Sequence, residues 1–272
     1  MIRKYHFTRD TRKRLEDYAS GKEMPAEENR QQDRPLTVCG LTDVGKVRLS
    51  NQDVLVESEE LNLYGVADGM GGHNGGETAS AGARDELIRF LQGHKPSTDA
   101  LRSGFESANT VLFRQQEEDK KLAGMGTTLS VVWMSADFAY LGHAGDSRIY
   151  LLRDGKLQQM TDDHSLVGEL MRMGYLTPEQ AEKHPNKNVI TRAVGTEKGI
   201  DVDLAVEERQ EGDVWMVCSD GLHGMVTDSE IEKILAANAP KEAARKLMDA
   251  ALKAGGRDNI SVIVLRDGEA AR

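Results

Sequence analysis

The chain has 272 residues, of which 39% are hydrophobic and 29% are charged, and this length predicts one large domain or two small ones with a substantial core. The formal net charge of −10 argues against nucleic-acid binding, because phosphate backbones attract clustered Lys and Arg side chains. No stretch approaches the roughly 20 apolar residues that span a bilayer, and the N-terminal residues lack the apolar segment of a secretory signal. We therefore expect a cytoplasmic protein that binds neither nucleic acid nor membranes.

Residues 1–35 differ in composition from the rest of the chain, with few aliphatic side chains and mixed charges. They are predicted to form a polar, flexible N-terminal extension. Residues 36–268 are predicted to form a single domain, because no internal repeat or low-complexity linker divides them, and residues 269–272 are predicted to form a short tail. The two cysteines, Cys39 and Cys218, lie in apolar runs without CxxC spacing, and we interpret them as core residues.

Within the predicted domain, strands are recognised by Val-, Leu- and Tyr-rich runs and helices by apolar residues three and four positions apart. The predicted strands are 36–42, 54–57, 61–67, 127–134, 138–143, 148–152, 156–160, 202–206, 214–218 and 260–265. The predicted helices are 75–92, 99–118, 165–173, 178–183, 229–236 and 240–254. Consecutive strands indicate antiparallel pairing, and helix pairs between strand groups indicate outer helical layers. The pattern therefore predicts an α+β sandwich rather than a doubly wound parallel sheet.

Aspartates stand at the ends of several apolar predicted strands. Buried strands bring their ends to one rim of a sheet, so these carboxylates could converge, and ionised carboxylates repel one another unless cations neutralise them. Oxygen ligands without a His or Cys cluster favour Mg²⁺ or Mn²⁺ over Zn²⁺. Asp-Gly is also a common turn signal, and we interpret Asp154 with Gly155 as a hairpin turn only. The candidate metal ligands are Asp53, Asp68, Asp220 and Asp258.

Arg48 lies five residues before Asp53. Two divalent cations would repel a nearby guanidinium unless an anion bridges them, and the planar guanidinium matches two phosphate oxygens at once. Without the metal context, a surface arginine paired with a carboxylate would be the preferred interpretation. With that context, Arg48 indicates a phosphate-binding site.

From residue 37 to residue 266 the sequence resembles the PPM family of metal-dependent protein phosphatases, also called type 2C, in its bacterial branch. The matching segments, in the order of the family, are TDVGKVRLSNQD (42–53), VADGMGGHNGGETAS (66–80), GMGTTLSVV (124–132), GHAGDSRIYLLRDGKL (142–157), TDDHSLVGELMRMG (161–174), NVITRAVGT (188–196), CSDGLHGMV (218–226) and GGRDNISVIVL (255–265). The resemblance implies a central β-sandwich of two antiparallel sheets, flanked on both sides by α-helical layers. It also implies a phosphoprotein phosphatase that hydrolyses phosphoserine and phosphothreonine with a metal-activated water.

The resemblance further implies roles for individual residues. Arg48 would bind the substrate phosphate, Asp68 would bridge two Mn²⁺ or Mg²⁺ ions, and Asp146 matches the ligand of a third, weaker ion. Segment 161–199 matches a mobile flap that tunes access to the active site. The implied metal ligands are Asp53, Asp68, the backbone carbonyl of Gly69, Asp146, Asp220 and Asp258.

Two positions depart from the pattern of the family. Gln52 stands where many relatives have a Glu that binds metal through water, so we expect weaker metal binding rather than none. Met70 stands where eukaryotic members have a His proposed to protonate the leaving oxygen, and Met cannot donate a proton. The identity of the general acid is therefore left unassigned, since we interpret the nearby His73 as structural.

The sequence also bears on three other functions. The segment GLTDVGKV (40–47) nearly matches a nucleotide-binding P-loop but has Val47 in place of Ser or Thr. A cysteine-dependent phosphatase is excluded, because neither cysteine has an Arg six positions later. A pseudophosphatase that binds phosphoproteins without turnover is disfavoured, because every implied metal aspartate and Arg48 are present. The expected partners are phosphorylated protein substrates and a cognate Ser/Thr kinase, and the expected state is a monomer.

Overall fold

The structure, a computed structural model, describes residues 35–268, except for the side chains of residues 72–74 and 182. Residues 1–34 and 269–272 lie outside the described residues, so the division into extension, domain and tail stays a prediction. Within the described residues, no helix is long and apolar enough to cross a membrane.

Two antiparallel sheets form the centre of the described structure. In spatial order, the first sheet contains β1 (Leu36–Asp43), β11 (Ile260–Asp267), β10 (Val214–Cys218), β7 (Arg148–Arg153) and β8 (Lys156–Gln159). The second sheet contains β2 (Asp53–Ser58), β3 (Leu63–Met70), β5 (Leu129–Met134), β6 (Phe138–Ala144) and β9 (Asp203–Glu208), with the two-residue β4 (Gly126–Thr127) paired to the end of β3. Every pairing is antiparallel, and short loops connect β2 to β3, β5 to β6 and β7 to β8.

Helices cover the outer face of each sheet. The long helices α1 (Gly72–Leu91) and α2 (Thr98–Glu118), followed by a 3₁₀ turn at Lys120–Leu122, pack on the second sheet. After β10 come α5 (Asp220–His223), α6 (Asp228–Ala237) and α7 (Pro240–Lys253), and these pack on the first sheet. The two short helices α3 (Leu166–Arg172) and α4 (Pro178–Glu182) belong to segment 161–199.

The core has three layers, which the alternation of side chains along a strand makes visible. In β10, Trp215 and Val217 face the other sheet, whereas Met216 and Cys218 face the helices. A third layer between the second sheet and its helices includes the fully buried Phe105. Helix, sheet, sheet and helix therefore follow one another, and the predicted α+β fold with two antiparallel sheets between helical layers is confirmed.

The structure also differs from the sequence prediction: the short helix α5 and the 3₁₀ turn were not predicted, and β9 ends at Glu208 instead of residue 206. The strand predicted at 127–134 is broken at Thr128, whose N–H donates to the carbonyl of Asp68 at 2.8 Å. β3 continues to Met70 instead of ending at residue 67, because β4 pairs with its last residues. α1 begins at Gly72, three residues before the predicted start, since a glycine-rich stretch gives little helical signal.

Candidate metal centre and phosphate-binding site

Asp53 and Asp68 are brought together by the pairing of two strands. Asp53 is the first residue of β2, and the antiparallel register places it directly opposite Asp68 in β3. Cross-strand neighbours in such a pair lie about 4.5–5.5 Å apart. The side chains of these two predicted ligands therefore share one end of the second sheet.

The first sheet contributes the other two aspartates at the same rim. Asp220 begins α5 directly after β10, and Asp258 lies two residues before β11. A hydrogen bond joins the two sheets here, since Ser219 Oγ donates to Asp53 Oδ2 at 2.7 Å. The four aspartates that the sequence predicted to converge therefore meet where the two sheets come together.

The carboxylates influence one another strongly. Burial raises the pKa of Asp53 to about 6, and burial together with the charges of Asp258 and Asp53 raises the pKa of Asp220 to about 6. For Asp68, burial and then the charges of Asp53, Asp220, Asp146 and Asp258 raise the pKa well above its usual range. Such shifts arise where like charges lie close together and away from water. A bound divalent cation would reduce the repulsion between these carboxylates.

Asp146 lies between β6 and β7 and is also close to this cluster. Its side chain is buried, and burial together with the charge of Asp220 raises its pKa to about 8. Asp146 Oδ1 and Asp53 Oδ1 are buried, and neither has a hydrogen-bond partner among residues 35–268. Since buried polar atoms are almost always partnered, these two oxygens fit a site built to hold cations.

The ligand geometry is nevertheless incomplete. In residues 35–268, no three acidic, histidine or cysteine side chains are arranged closely enough to hold one ion. Asp258 is turned towards Arg48, whose Nη2 donates to its Oδ2 at 2.7 Å, and Asp53 is bonded to Ser219. The donor chemistry and the unpartnered oxygens nevertheless fit Mg²⁺ or Mn²⁺.

Gly69 follows Asp68 in a position that only glycine can occupy. A Cβ there would lie 2.0 Å from the carbonyl oxygen of Gly76 and 2.7 Å from that of Gln52. The N–H of Gly69 donates to the same Gln52 carbonyl at 3.1 Å. The first turn of α1 therefore packs directly on the backbone of Gly69, which explains the glycines on both sides of this contact.

Arg48 lies on a loop, residues 44–52, that Asn259 fastens to the start of β11. Asn259 Nδ2 donates to the carbonyls of Val44 at 3.0 Å and Ser50 at 2.9 Å, and its Oδ1 accepts from the N–H of Gln52 at 2.9 Å. Asn259 was missed in the sequence analysis, although its buried amide bonds to three backbone groups. Its position directly after Asp258 was the available signal.

The same loop excludes the nucleotide-binding alternative. A P-loop leads from a strand into a helix whose N-terminus binds phosphate. Here the loop after β1 leads into β2, and the described residues contain no helix between these strands.

A cleft of about 660 Å³ opens beside the aspartates. Its lining includes Asp146, Asp220 and Asp258, together with residues of segment 161–199 such as Val167 and Lys187. The segment therefore lies beside the site, as a flap would, and its mobility stays a prediction.

Similarity to known proteins agrees with this geometry. Residues 46–255 match the family described as protein phosphatase 2C. The chain is 38% identical to protein phosphatase PhpP of Streptococcus pneumoniae over 243 residues, which cover 86% of this chain and 98% of that protein. It is 37% identical to serine/threonine phosphatase stp of Listeria monocytogenes, covering 82% of this chain and 93% of that protein.

Solved structures lead to the same family. The serine/threonine phosphatase PstP/Ppp of Mycobacterium tuberculosis superposes with a TM-score of 0.81 at 36% identity, over 86% of this chain and 99% of that one. The PstP catalytic domain in complex with two manganese ions superposes with a TM-score of 0.79 at 34% identity, over 86% of this chain and 99% of that one.

An acidic rim between two sheets, with an arginine beside it, defines a metal-dependent phosphatase. The chain belongs to the protein phosphatase 2C family. The predicted family, enzyme class and reliance on divalent metal are thereby confirmed at the level of the family. The individual roles of the predicted ligands and of Arg48 stay predictions.

Proposed function

We propose that this chain hydrolyses phosphoserine and phosphothreonine in proteins, with two Mn²⁺ or Mg²⁺ ions as its resident cofactor. The observation that carries the proposal is the convergence of Asp53, Asp68, Asp220 and Asp258 at one rim, with Arg48 beside them. The names of the similar proteins, serine/threonine phosphatases from several bacteria, support the substrate class.

Bound divalent ions would supply an activated water and neutralise charge on the phosphoryl group. Asp53, Asp68, Asp220 and Asp258, with the carbonyl of Gly69, would hold the ions, and Asp146 would hold a third, weaker one.

Arg48 would bind the phosphate directly. Its guanidinium has five N–H donors, and the hydrogen bond that Nη2 makes to Asp258 uses one of them, so donors remain for phosphate oxygens. The Arg48 side chain is 52% exposed, so a phosphate group in solution can reach it. Binding and orienting the phosphate lowers the barrier by positioning and by electrostatic stabilisation, which dominate phosphoryl transfer.

We further propose a cytoplasmic monomer that opposes a Ser/Thr kinase. The support is the expectation from the sequence and the resemblance to bacterial signalling phosphatases. Light scattering during gel filtration tests the monomer, cell fractionation tests the location, and deletion of candidate kinases tests whether the same phosphoproteins lose their phosphate.

The function is tested by phosphate release from matched peptides that carry phosphoserine, phosphothreonine or phosphotyrosine. We expect Mn²⁺-dependent release from the first two, which a chelator abolishes and Asp220→Asn reduces by about 100-fold or more. Asp154→Asn is the matched control, since Asp154 is also followed by glycine but lies in the β7–β8 hairpin. Tight phosphopeptide binding without any release would instead favour a non-catalytic module.

The same assay addresses the N-terminal residues. Equal rates for the full chain and for a chain that starts at Leu36 would make residues 1–35 a spacer or docking element. A faster shortened chain would make them an inhibitor.

A further inference from the structure

A buried histidine that the proposed reaction does not use lies at the base of segment 161–199. His164 is 3% exposed, and its N–H donates to the carbonyl of Gly145 at 2.8 Å. Its own carbonyl accepts from the N–H of Thr191 at 2.8 Å. The backbone of His164 is therefore bonded both to the loop that carries Asp146 and to the returning end of the segment.

The segment closes on itself at this point. Ser165 and Ile190 form an isolated antiparallel bridge, and the N–H of Leu166 donates to the carbonyl of Val189 at 2.9 Å. We call residues 164–166 and 189–191 the neck. Residues 167–188, which include the flap residues facing the cleft, extend beyond the neck.

The side chain of His164 makes a second set of contacts that fixes its tautomer. The N–H of Gly145 donates to Nδ1 at 3.0 Å, so Nδ1 must be an acceptor. The ring proton is then on Nε2, which donates to Oδ2 of Asp203 at 3.0 Å. Arg192 Nη1 donates to Oδ1 of Asp203 at 2.7 Å and lies 2.9 Å from Nε2 of His164. Both nitrogens are donors in this tautomer, so the Asp203 carboxylate is their shared acceptor. The imidazole therefore spans from Gly145 to the first residue of β9.

The backbone at Gly145, which His164 contacts, leads directly into Asp146. Gly145 has a φ of +121°, and a Cβ there would lie 2.5 Å from Cβ of Thr128, so the loop depends on an unusual backbone conformation. His223 Nε2 lies 3.0 Å from the carbonyl of Asp146 and donates to it. The backbone around Asp146 is therefore held on both sides, by His223 at its own carbonyl and by His164 at the N–H and the carbonyl of Gly145.

We propose that His164 is a positioning residue that couples the neck to Asp146. Its Nδ1 accepts from the N–H of Gly145 in the Ala144–Gly145 peptide, and its backbone N–H donates to the carbonyl of the Gly145–Asp146 peptide. Its Nε2–H donates to Asp203 and so anchors the neck to β9. A shift of the neck is then transmitted to the Asp146 carboxylate at the edge of the acidic cluster.

Two amide substitutions that differ in length by one methylene separate the contact of Nδ1 with Gly145 from the contact of Nε2 with Asp203. His164→Asn places an amide oxygen near the position of Nδ1, so it keeps the acceptor for Gly145 and loses the donor to Asp203. His164→Gln reaches the position of Nε2, so it keeps the donor and loses the acceptor. His184→Gln is the matched control, because His184 lies in the same segment outside the neck and its Nδ1 accepts from the N–H of Asn186.

The first measurement is amide hydrogen exchange of the metal-free protein, compared with exchange in β11. We expect His164→Gln to speed exchange at Gly145 about tenfold and His164→Asn to speed exchange at Thr191 by a similar factor. Asp203→Asn leaves His164 in place and should speed exchange at Thr191 but not at Gly145. This third variant keeps the test valid if a substitution of His164 prevents folding.

The second measurement is Mn²⁺ binding by titration calorimetry, with Asp146→Ala as the reference that lacks the weakest site. We expect His164→Gln to weaken that site about fivefold or more, and His164→Asn to leave it within about twofold of wild type. Identical behaviour of the Asn and Gln variants would mean that His164 only packs. Unchanged Mn²⁺ binding in His164→Gln or in Asp146→Ala would overturn the coupling to Asp146.

Discussion

Arg48 Nη2 and Asp258 Oδ2 lie 2.7 Å apart, which joins the residue predicted to bind phosphate to a residue predicted to bind metal. The hydrogen bond to Asp258 raises the pKa of Arg48, so the guanidinium stays charged. Asp258 therefore has two competing partners, the arginine and a cation, and this competition has a measurable consequence.

Arg48→Ala is expected to raise KM for phosphopeptides about tenfold or more, because a charge-assisted contact to phosphate is lost. Mn²⁺ affinity should stay the same or increase, since Asp258 is released from the ion pair. Steady-state kinetics and titration calorimetry measure the two effects, with Arg84→Ala on α1 as the control. A large loss of Mn²⁺ affinity in Arg48→Ala would contradict this account of the pair.

Gln52→Glu is expected to strengthen Mn²⁺ binding about threefold to tenfold, because it adds a carboxylate beside Gly69. Titration calorimetry measures the affinity. Gln158→Glu, on the exposed edge strand β8, adds the same charge on an element that contributes no residue to the cluster. Equal affinity changes in both variants would show that net charge, rather than position, is responsible.

Asp220→Asn is expected to stabilise the metal-free protein while it removes the stabilisation that Mn²⁺ provides. Because the pKa of Asp220 is raised to about 6 in the fold, its ionised form destabilises the native state above that pH. Removing this charge should raise the free energy of unfolding at about pH 8 by about 2 kcal/mol. Urea unfolding with and without Mn²⁺ measures both effects, and a less stable metal-free variant would argue against crowding of the carboxylates.

A buried histidine makes stability depend on pH. His143 accepts from the hydroxyl of Ser130 and donates to the carbonyl of Asp162, and burial, followed by its neighbour His164, lowers its pKa to about 3. As pH falls below about 6.5, the unfolded chain binds a proton that native His143 does not. The stability that neutral His143 contributes is therefore present above this pH and is lost on acidification.

His143→Asn keeps an acceptor for Ser130 but cannot titrate. The advantage of wild type over this variant in free energy of unfolding should shrink by about 1.4 kcal/mol for each pH unit between about pH 6 and pH 4. Urea unfolding of both proteins at several pH values measures it. A pH-independent difference between them would show that His143 does not carry the effect.

Much of the fold could be predicted because its signals are local. The alternation in β10 that sends Trp215 inward and Met216 towards the helices is visible in the sequence, as is the spacing that places Leu101, Phe105 and Leu112 on one face of α2. The hairpin at Asp154 and Gly155 was also predicted, and both residues have positive φ. The break at Thr128 was not, because it depends on a bond to Asp68, 60 residues away.

In the candidate site, too, some residues could be predicted from local sequence signals and others could not. The aspartates could be identified because each ends or begins an apolar strand, and the resemblance to a known family added Asp146 and Gly69. Asn259, Ser219 and His164 were not identified, because their roles depend on partners up to 215 residues distant in the chain. Their side chains are polar and common, and only the folded arrangement shows that they are buried and bonded.

The most direct test of the central claim is the anomalous X-ray signal of a crystal grown with Mn²⁺. We expect two strong peaks about 4 Å apart, both within ligand distance of Asp68. One should lie near Asp53 and the other near Asp220 and Asp258. Asp68→Asn should lose both peaks. Manganese peaks that avoid this rim, or that remain in full in Asp68→Asn, would contradict the account.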